Sequence, residues 1–225
     1  MKRVLVVCAH PDDEVLGCGG TMAALADRGC RVDVAFLADG IGARNPGAAA
    51  NAELERRHAA AHKAAQILGV SEVVFDDLPD NRLDTVALLD IVQRIEALIS
   101  RFQPDTVFSH HAGDVNIDHR RVHEAVIAAC RPQGHCPVRS LLFFEVASST
   151  EWQPPGSAPV FAPNWFVDIG ATLSRKMDAL AAYHEEMRDW PHPRSLGALE
   201  HLARWRGATV SVQAAEAFVL GRHCQ

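Results

Sequence analysis

The sequence contains no apolar run close to the ~20 residues that a membrane-spanning helix needs. Its first apolar run, of about six residues, is also too short for the core of a signal peptide. No stripe of basic residues is present to neutralise the phosphates of a nucleic acid, and 22 basic against 28 acidic residues leave a formal net charge of -6. These absences predict a cytoplasmic protein without membrane insertion and without a nucleic-acid partner.

Paired cysteines are also missing, because none of the six cysteines forms a CxxC motif. Cys8 and Cys30 lie within or beside apolar stretches, where cysteine usually packs as a small hydrophobic side chain. A chain that can fill its own core needs no disulfide framework, so we expect the reduced thiols of a cytosolic protein.

Several catalytic motifs are absent as well. The chain has no GxSxG, no Walker sequence and no cysteine in a polar turn beside a histidine. The glycines of Gly17–Gly20 come too late after the first strand, and with the wrong spacing, for GxGxxG. Asp12 and Asp13 are adjacent, so they cannot flank a glycosidic bond as the two carboxylates of a glycosidase do. These absences argue against dinucleotide binding, covalent nucleophilic catalysis and glycoside hydrolysis.

What the sequence does contain is an alternation of strand and helix patterns. Hydrophobic residues make up 48% of the chain, enough to fill one core, so we expect a single domain over residues 1–225. Predicted strands cover residues 4–9, 32–38, 73–75, 106–109, 141–146 and 166–169. The first predicted helix ends near residue 28. The other predicted helices cover residues 50–68, 85–102, 118–130, 173–187 and 196–206. This alternation predicts an α/β fold with a mostly parallel sheet and helices on both faces, with the C-terminal helices from about residue 171 on the same core.

A polar cluster at the end of the first predicted strand carries the strongest chemical signal. It reads His-Pro-Asp-Asp-Glu from His10 to Glu14, and its three carboxylates would repel a phosphate but attract a cation. Histidine and carboxylate supply N and O ligands that suit a divalent metal, most often zinc. The alternative interpretation is a helix N-terminus that carries acidic residues because they favour the positive end of the helix dipole.

A second cluster, His110–His119, follows the fourth predicted strand. In a doubly wound sheet, functional residues gather at the carboxyl ends of the strands, so this cluster is expected to meet the first one. His119 is then a candidate third ligand that leaves one metal position open for water. Asp118 is expected to be either the N-cap of the next helix or a residue that orients a ligand imidazole. A further polar cluster, Asp39–Arg44, follows the second predicted strand at the same edge.

The hexapeptide AHPDDE at residues 9–14, followed by Asp118 and His119 after the fourth strand, resembles the PIG-L or LmbE-like deacetylases. The resemblance implies a Rossmann-like sheet without a dinucleotide. By position it implies three zinc ligands: His10, Asp13 and His119. It also implies that Asp12 is the general base, which takes a proton as a metal-activated water attacks an amide. Family members remove acetyl groups from N-acetylglucosamine units, so an amino-sugar substrate is implied as well.

One departure from the family pattern concerns the stabilisation of the oxyanion. Many members carry an assisting histidine at the position of Asn116, which can donate a hydrogen bond but cannot carry a proton. The candidates to replace it are His110, His111 and His192. The proline-flanked His192 is expected either to act across the interface of a homo-oligomer or to be a solvated side chain in a turn. The predicted catalytic residues are thus Asp12, Asn116, Asp118 and His192.

The remaining predictions concern the substrate. Arg44 is a candidate contact to a sugar hydroxyl or a phosphate. Asp80 and Arg82 are candidate contacts to the sugar, where a carboxylate can accept two hydroxyls. Loop salt bridges are the alternative for these residues, and His111 is a further candidate contact. The sequence predicts a zinc-dependent hydrolase that removes an N-acetyl group from a small-molecule amino sugar. A zinc amidase for a non-sugar N-acyl substrate is the first alternative, and a non-catalytic metal or sugar binder is the second.

Overall fold

The structure is a computed structural model, and it describes residues 1–38, 49–134 and 136–224. Within these ranges the chain forms one seven-stranded sheet and six α-helices. The strands are β1 (Arg3–Cys8), β2 (Arg31–Ala38), β3 (Glu72–Leu78), β4 (Thr106–His110), β5 (Ser140–Phe144), β6 (Trp165–Asp168) and β7 (Ala215–His223). The helices are α1 (Asp13–Asp27), α2 (Ala49–Leu68), α3 (Leu88–Phe102), α4 (Ile117–Ala129), α5 (Leu173–Ala182) and α6 (Leu196–Ala208).

The sheet has the strand order β3-β2-β1-β4-β5-β7-β6. Strands β1 to β5 are parallel in every pairing that joins them. The chain moves outward from β1 to β3 and then returns to place β4 on the other side of β1. The carboxyl ends of β1 and β4 therefore form a topological switch point, the place where doubly wound sheets bind ligands.

The side chains of β1 alternate between the two faces of the sheet. Val4 and Val6 pack with α1, α2 and α5 in one buried cluster, whereas Leu5 and Val7 pack with α3 and α4 in another. Because helices cover both faces, the central strands consist of nearly continuous apolar residues. The predicted α/β fold, with a mostly parallel sheet and helices on both faces, is confirmed.

The C-terminal part of the sheet differs from the prediction. The sequence pattern predicts no strand after residue 169, yet β7 pairs antiparallel with both β5 and β6. Glu216 and Gly221 interrupt the apolar residues of β7, which weakens its strand pattern. Glu216 is nevertheless buried, because it forms an ion pair of 2.6 Å with Lys176 of α5. Only the folded chain supplies that partner.

Two helix boundaries also differ from the prediction. α5 ends at Ala182, before the predicted residue 187, because the next residue, Tyr183, turns into the interior. α3 begins at Leu88 rather than at residue 85, since Leu83–Thr85 forms a short 3₁₀ helix. The fully described segment 148–163 contains neither helix nor strand. None of the helices in the described ranges is both long and apolar enough to cross a membrane.

Helix α1 is kinked at Cys18, where φ is -148° and ψ is 24°. At the kink, nearby backbone groups lose their hydrogen bonds within the helix. The side chains of a buried ion pair, Glu216 and Lys176, form hydrogen bonds with these groups instead. Glu216 accepts a hydrogen bond from Gly20 N at 3.0 Å and from the following amide at 2.7 Å. Lys176 Nζ donates to Leu16 O at 3.0 Å and to Glu216 at 2.6 Å. The pair thus ties α5 and β7 to the kinked helix whose first turn enters the candidate site.

Candidate metal centre

Two helix N-termini meet at the switch point between β1 and β4. α1 begins at Asp13, directly after the turn that follows β1, and α4 begins at Ile117, after the turn that follows β4. The chain that follows β3 adds Asp80 to the same place. The topology therefore collects polar side chains from three separate loops at one edge of the sheet.

His10, Asp13 and His119 form a buried cluster whose ligand atoms all lie within 4.8 Å of one another. His119 Nε2 lies 3.3 Å from Asp13 Oδ1, and His10 Nδ1 lies 3.4 Å from Asp13 Oδ2. Asp13 Oδ1 and His119 Nε2 are buried, and neither has a hydrogen-bond partner among the described residues. Buried polar atoms are rarely left unpaired, so these two atoms fit ligands of a cation. The fold thus brings the three predicted ligands together.

Asp118 positions His10. Its Oδ2 lies 2.9 Å from His10 Nε2 and accepts a hydrogen bond from Asn81 N at 2.6 Å, while its Oδ1 accepts one from Leu83 N at 2.9 Å. These contacts leave His10 Nδ1 for the cluster with Asp13. His10, Asp80 and Asp118 are also close enough to hold an ion. We favour the first cluster because both oxygens of Asp118 are already hydrogen-bonded.

Asn116 is the N-cap of α4. Its Oδ1 accepts a hydrogen bond from Asp118 N at 2.8 Å, and its Nδ2 donates to Asn81 Oδ1 at 3.3 Å. Of the two positions considered for Asp118, the structure therefore places it beside the imidazole of His10 and gives the N-cap to Asn116.

Asp114 holds His119 as Asp118 holds His10. Its Oδ2 lies 3.1 Å from His119 Nδ1 and accepts a hydrogen bond from Thr150 Oγ1 at 2.8 Å. Burial disfavours the charged form of Asp114, but the positive charge and hydrogen bond of His119 outweigh it and lower its pKa to about 2. The sequence prediction missed this role, although Asp114 lies inside the second polar cluster. The available signal was the frequent pairing of metal-binding histidines with carboxylates.

The surrounding carboxylates favour positive charge at His119. Burial lowers the pKa of His119, but Asp13 and Asp114 outweigh it and raise this pKa to about 9. A divalent metal would take the place of that proton. His110 stacks on His119 with ring centroids 4.0 Å apart, and its Nε2 accepts a hydrogen bond from Ala9 N at 2.9 Å. Burial and the charge on His119 lower the pKa of His110, so this fully buried ring is a neutral support.

Asp12 has an unusual backbone φ of 119°, a region that residues other than glycine rarely adopt. Glu14 stabilises this conformation, because its Oε2 accepts a hydrogen bond from Asp12 N at 3.0 Å. The hydroxyl of Tyr183 donates to Glu14 Oε1 at 2.6 Å, and burial raises the pKa of Glu14 to about 8. Strained backbone of this kind concentrates at functional sites. Here it turns the Asp12 carboxylate toward the cavity beside His10.

Arg194 forms an ion pair with Asp12, with 2.6 Å between Nη1 and Oδ2. Its Nε also donates to Ser148 Oγ at 2.8 Å. Burial raises the pKa of Asp12, the charge of Arg194 lowers it, and the charge of Asp13 raises it again, which leaves it at about 6. The sequence prediction singled out the segment around His192 but gave Arg194 no role. No local pattern identifies the carboxylate with which it pairs.

A small cavity, here called the inner cavity, lies at this cluster and includes His10, Asp12, Asp80, Asn116, Glu186 and Arg194 in its lining. Asp80 Oδ1 lies 3.2 Å from His10 Nε2, so the predicted substrate contact Asp80 is at the site. Arg82 is exposed and does not line this cavity. His111 lies elsewhere, with its Nε2 3.1 Å from the carbonyl of Pro159. The predicted contact Arg44 and its cluster Asp39–Arg44 lie outside the described residues.

A larger cavity, here called the outer cavity, adjoins the inner one. Asn116, Glu186 and Arg194 line both cavities. His192 lines the outer cavity and not the inner one, and its Nδ1 accepts a hydrogen bond from Arg194 N at 3.0 Å. The predicted residue His192 therefore shares the outer cavity with Asn116 within a single chain, but it does not belong to the cluster of His10, Asp13 and His119.

The fold and the site define an α/β enzyme in which a buried cluster of side chains able to hold a metal adjoins a carboxylate whose pKa burial raises to about 6. Residues 5–130, more than half of the chain, match the sequence profile of the PIG-L family, described as GlcNAc-PI de-N-acetylase. The chain belongs to this family, and it is a metal-dependent deacetylase, a hydrolase of amide bonds.

Three proteins illustrate the similarity. The diacetylchitobiose deacetylase of Thermococcus kodakarensis is 28% identical over 200 residues, covering 83% of this chain and 70% of the relative. The 4-oxalmesaconate hydratase of Pseudomonas putida is 28% identical over 204 residues, covering 85% of this chain and 76% of the relative. The crystal structure of the conserved protein TT1542 from Thermus thermophilus matches with a TM-score of 0.79 and 27% identity, covering 100% of this chain and 97% of the other.

Proposed function

We propose that this protein is a zinc-dependent deacetylase that removes the N-acetyl group of an amino sugar. One observation carries the proposal: the buried atoms Asp13 Oδ1 and His119 Nε2, which have no hydrogen-bond partner among the described residues, lie 3.3 Å apart, next to a cavity lined by Asp12. The amino-sugar substrate is supported by the description of the family and by the name of one relative, the diacetylchitobiose deacetylase.

His10, Asp13 and His119 are the residues that would hold the metal. Two imidazoles and one carboxylate suit zinc, and three protein ligands leave a position for water or substrate. When bound, zinc lowers the pKa of a water molecule and polarises the acyl carbonyl. Asp118 and Asp114 are positioning residues in this scheme, because each holds the second nitrogen of one ligand histidine.

Asp12 acts as the general base in the proposed mechanism. Its carboxylate accepts the proton of the water that attacks the acyl carbon, and it then gives this proton to the departing amine. A pKa of about 6 suits both transfers, because a base and its conjugate acid work best when the pKa lies near the working pH. Arg194 keeps the carboxylate ionised and oriented through the 2.6 Å ion pair.

Asn116 is the proposed donor to the oxyanion. Its Oδ1 accepts the amide of Asp118 and one Nδ2 proton is donated to Asn81 Oδ1, so the second Nδ2 proton is the one that can be donated to a substrate in the inner cavity. His192 stays a predicted catalytic residue, as a second donor toward the substrate from the outer cavity. If His192 acts in the site of a neighbouring subunit, mixing an inactive Asp12 variant with an inactive His192 variant should restore activity. Without such rescue, His192 acts within its own chain.

The candidate substrate contacts differ in their support. Asp80 lines the inner cavity, so its carboxylate can accept a hydroxyl of a bound sugar. The positions of Arg82 and His111 lend no such support, and the proposal for Arg44 rests on its sequence position. The substitution Asp80→Asn keeps the shape of the side chain but removes its charge, which weakens the contact to the sugar hydroxyl. It should therefore raise KM for the sugar more than it lowers kcat.

Metal content and product release test the proposed function together. Purified protein should contain about one zinc per chain. It should release acetate and primary amine in equal amounts from N-acetylglucosamine, its oligomers or its nucleotide-linked forms, and a chelator should stop the reaction. Release only from non-sugar amides would favour the alternative zinc amidase. Neither metal nor amine release, under conditions that protect the metal, would refute the proposal.

The variant Asp12→Asn separates catalysis from metal binding. It should keep its zinc but lose about 10²-fold or more in turnover, the contribution expected of a general base. The matched variant His119→Ala should lose zinc instead. Near-native turnover of Asp12→Asn would remove Asp12 from the role of base.

Three broader predictions complete the proposal. We propose that the chain forms a single domain, because Leu180 of α5 and Leu199 of α6 pack in the same buried cluster as α1. Such a domain should unfold in one cooperative transition. The homo-oligomer considered as one alternative for His192 would be tested by light scattering. A cytoplasmic location would be tested by fractionation of cells. It is supported by the absence of a disulfide at five described cysteines: Cys8, Cys18, Cys30, Cys130 and Cys136.

A further inference from the structure

The outer cavity extends the candidate site beyond the metal cluster. Its volume of about 310 Å³ lies within the range of small-molecule sites. Asn116, Glu186 and Arg194 form its border with the inner cavity. A substrate whose acetamide reached the metal cluster would place its neighbouring substituent in this outer space.

Among the residues that the structure describes, one cation of the outer cavity, Arg188, forms no ion pair with a carboxylate. Arg194 pairs with Asp12, and Glu186 pairs with Arg57. Arg188 is exposed, and the hydrogen bonds that its guanidinium makes within the described residues go to the carbonyls of Glu185 and Met187, at 2.7 and 2.9 Å. The remaining guanidinium donors are available to a ligand, and a guanidinium prefers anionic oxygens.

Two ring systems lie in the same cavity as this cation. Trp152 is 52% exposed, and its ring centroid lies 5.7 Å from that of His192, edge to face. His192 Nδ1 accepts the amide of Arg194, so in the neutral ring the proton is on Nε2, a hydrogen-bond donor. An exposed indole beside two donors suits a ring that carries an anionic substituent.

We propose that the outer cavity binds an anionic group attached to the amino sugar, with Arg188 contacting the anion and Trp152 packing against the ring that carries it. The inference rests on the proposed function and narrows its substrate class to acidic conjugates of an N-acetylated amino sugar. A carboxylate and a phosphate share the required chemistry, and the experiment below distinguishes them.

The test compares three glycosides of N-acetylglucosamine with the same anomeric configuration: the 1-phosphate, the carboxymethyl glycoside and the neutral methyl glycoside. The wild-type enzyme should prefer at least one anionic substrate by about tenfold in kcat/KM, as expected of a charged hydrogen bond at a partly exposed site. The preference should weaken at high salt. Whichever anion is preferred identifies the group.

The substitution Arg188→Gln should lower kcat/KM for the preferred anionic substrate, and this decrease should be about tenfold larger than the decrease for the methyl glycoside. Trp152→Ala should weaken both anionic substrates by about threefold or more. Arg131→Gln is the matched control, because Arg131 is also exposed and donates to the carbonyl of Ala128, but it lies at the end of α4 away from the site. This control should change none of the three rates.

Equal kcat/KM for the anionic substrates and the neutral methyl glycoside would overturn the inference, although the deacetylase function would stand. Equal effects of Arg188→Gln and Arg131→Gln would overturn it as well. If no N-acetylated amino sugar reacts, the proposed function fails first. Calorimetry with glucosamine 1-phosphate then tests whether the outer cavity binds an anionic group. About tenfold weaker binding by Arg188→Gln supports the inference, and equal affinity for wild type and variant refutes it.

Discussion

Replacement of Arg194 by methionine removes the positive charge closest to the proposed base. In the wild type, Arg194 Nη1 lies 2.6 Å from Asp12 Oδ2, and the side chains are only 19% and 3% exposed. Burial and Asp13 raise the pKa of Asp12, and Arg194 limits that rise, which leaves the pKa at about 6. Without the guanidinium the pKa of Asp12 should rise further, by about 1–2 units.

The direction of the effect on activity follows from the role of Asp12. A general base must be ionised, so kcat/KM rises with pH through the pKa of Asp12. The acidic limb of the profile should therefore move to higher pH in Arg194→Met, by about 1–2 units or ~1.4–2.7 kcal/mol. At pH 7 the smaller ionised fraction alone would lower kcat/KM by about 2- to 10-fold.

The assay is the pH dependence of kcat/KM for the zinc-loaded enzyme, with two controls. Arg194→Lys keeps the charge and should shift the limb less. Glu186→Gln should shift it the other way, because Glu186 raises the pKa of Asp12 and its partner Arg57 lowers it. A lower rate at every pH with an unmoved limb would show that Arg194 acts only on geometry, and our electrostatic reasoning would then be wrong.

Three further predictions concern the residues behind the site. Asp118→Asn and Asp114→Asn should each weaken zinc binding by about 10- to 100-fold in a competition titration, because each loosens one ligand histidine; unchanged affinity would contradict the positioning roles. Glu14→Gln should make stability less dependent on pH. Burial raises the pKa of Glu14 from 4.5 to about 8, so between these values the folded state binds more protons than the unfolded state and stability falls as pH rises. The free energy of unfolding can be measured with urea, in the presence of a chelator, from pH 5 to 8. Its slope against pH should be less negative in Glu14→Gln than in the wild type, by up to ~1.4 kcal/mol per pH unit. An unchanged slope would show that Glu14 is ionised in the folded protein. Tyr183→Phe should cost about 1–2 kcal/mol of unfolding free energy through the lost hydrogen bond to Glu14, and a Tm equal to wild type would refute this.

The parts of the fold that could be predicted are those with local signals. The apolar run of β1 and the helical spacing of α3 identify their elements without reference to any neighbour. Strand β7 lacked such a signal, because Glu216 is stabilised in the interior by Lys176 of another element. The end of α5 was missed for a similar reason, since Tyr183 leaves the helix to reach Glu14.

The same division holds for the candidate site. The residue types of the metal cluster were readable from His10-Pro11-Asp12-Asp13 and from His119, whose N and O donors suit a metal. Arg194 could not be assigned, since an arginine between helices is usually a surface charge and its partner Asp12 is 182 positions away. His111 stays a predicted substrate contact, and its position beside the carbonyl of Pro159 could not be predicted, because a backbone partner leaves no sequence pattern.

By itself the sequence determined which chemical groups this protein possesses, in which order, and on which kinds of element. The tertiary structure decided which of them meet and how strongly they ionise. His10 and Asp118 are 108 positions apart and touch only because β1 and β4 are neighbours at the switch point. The pKa of Asp12 depends on burial and on Arg194, both properties of the folded chain. Convergence and desolvation arise from packing, so no local pattern in the chain encodes them.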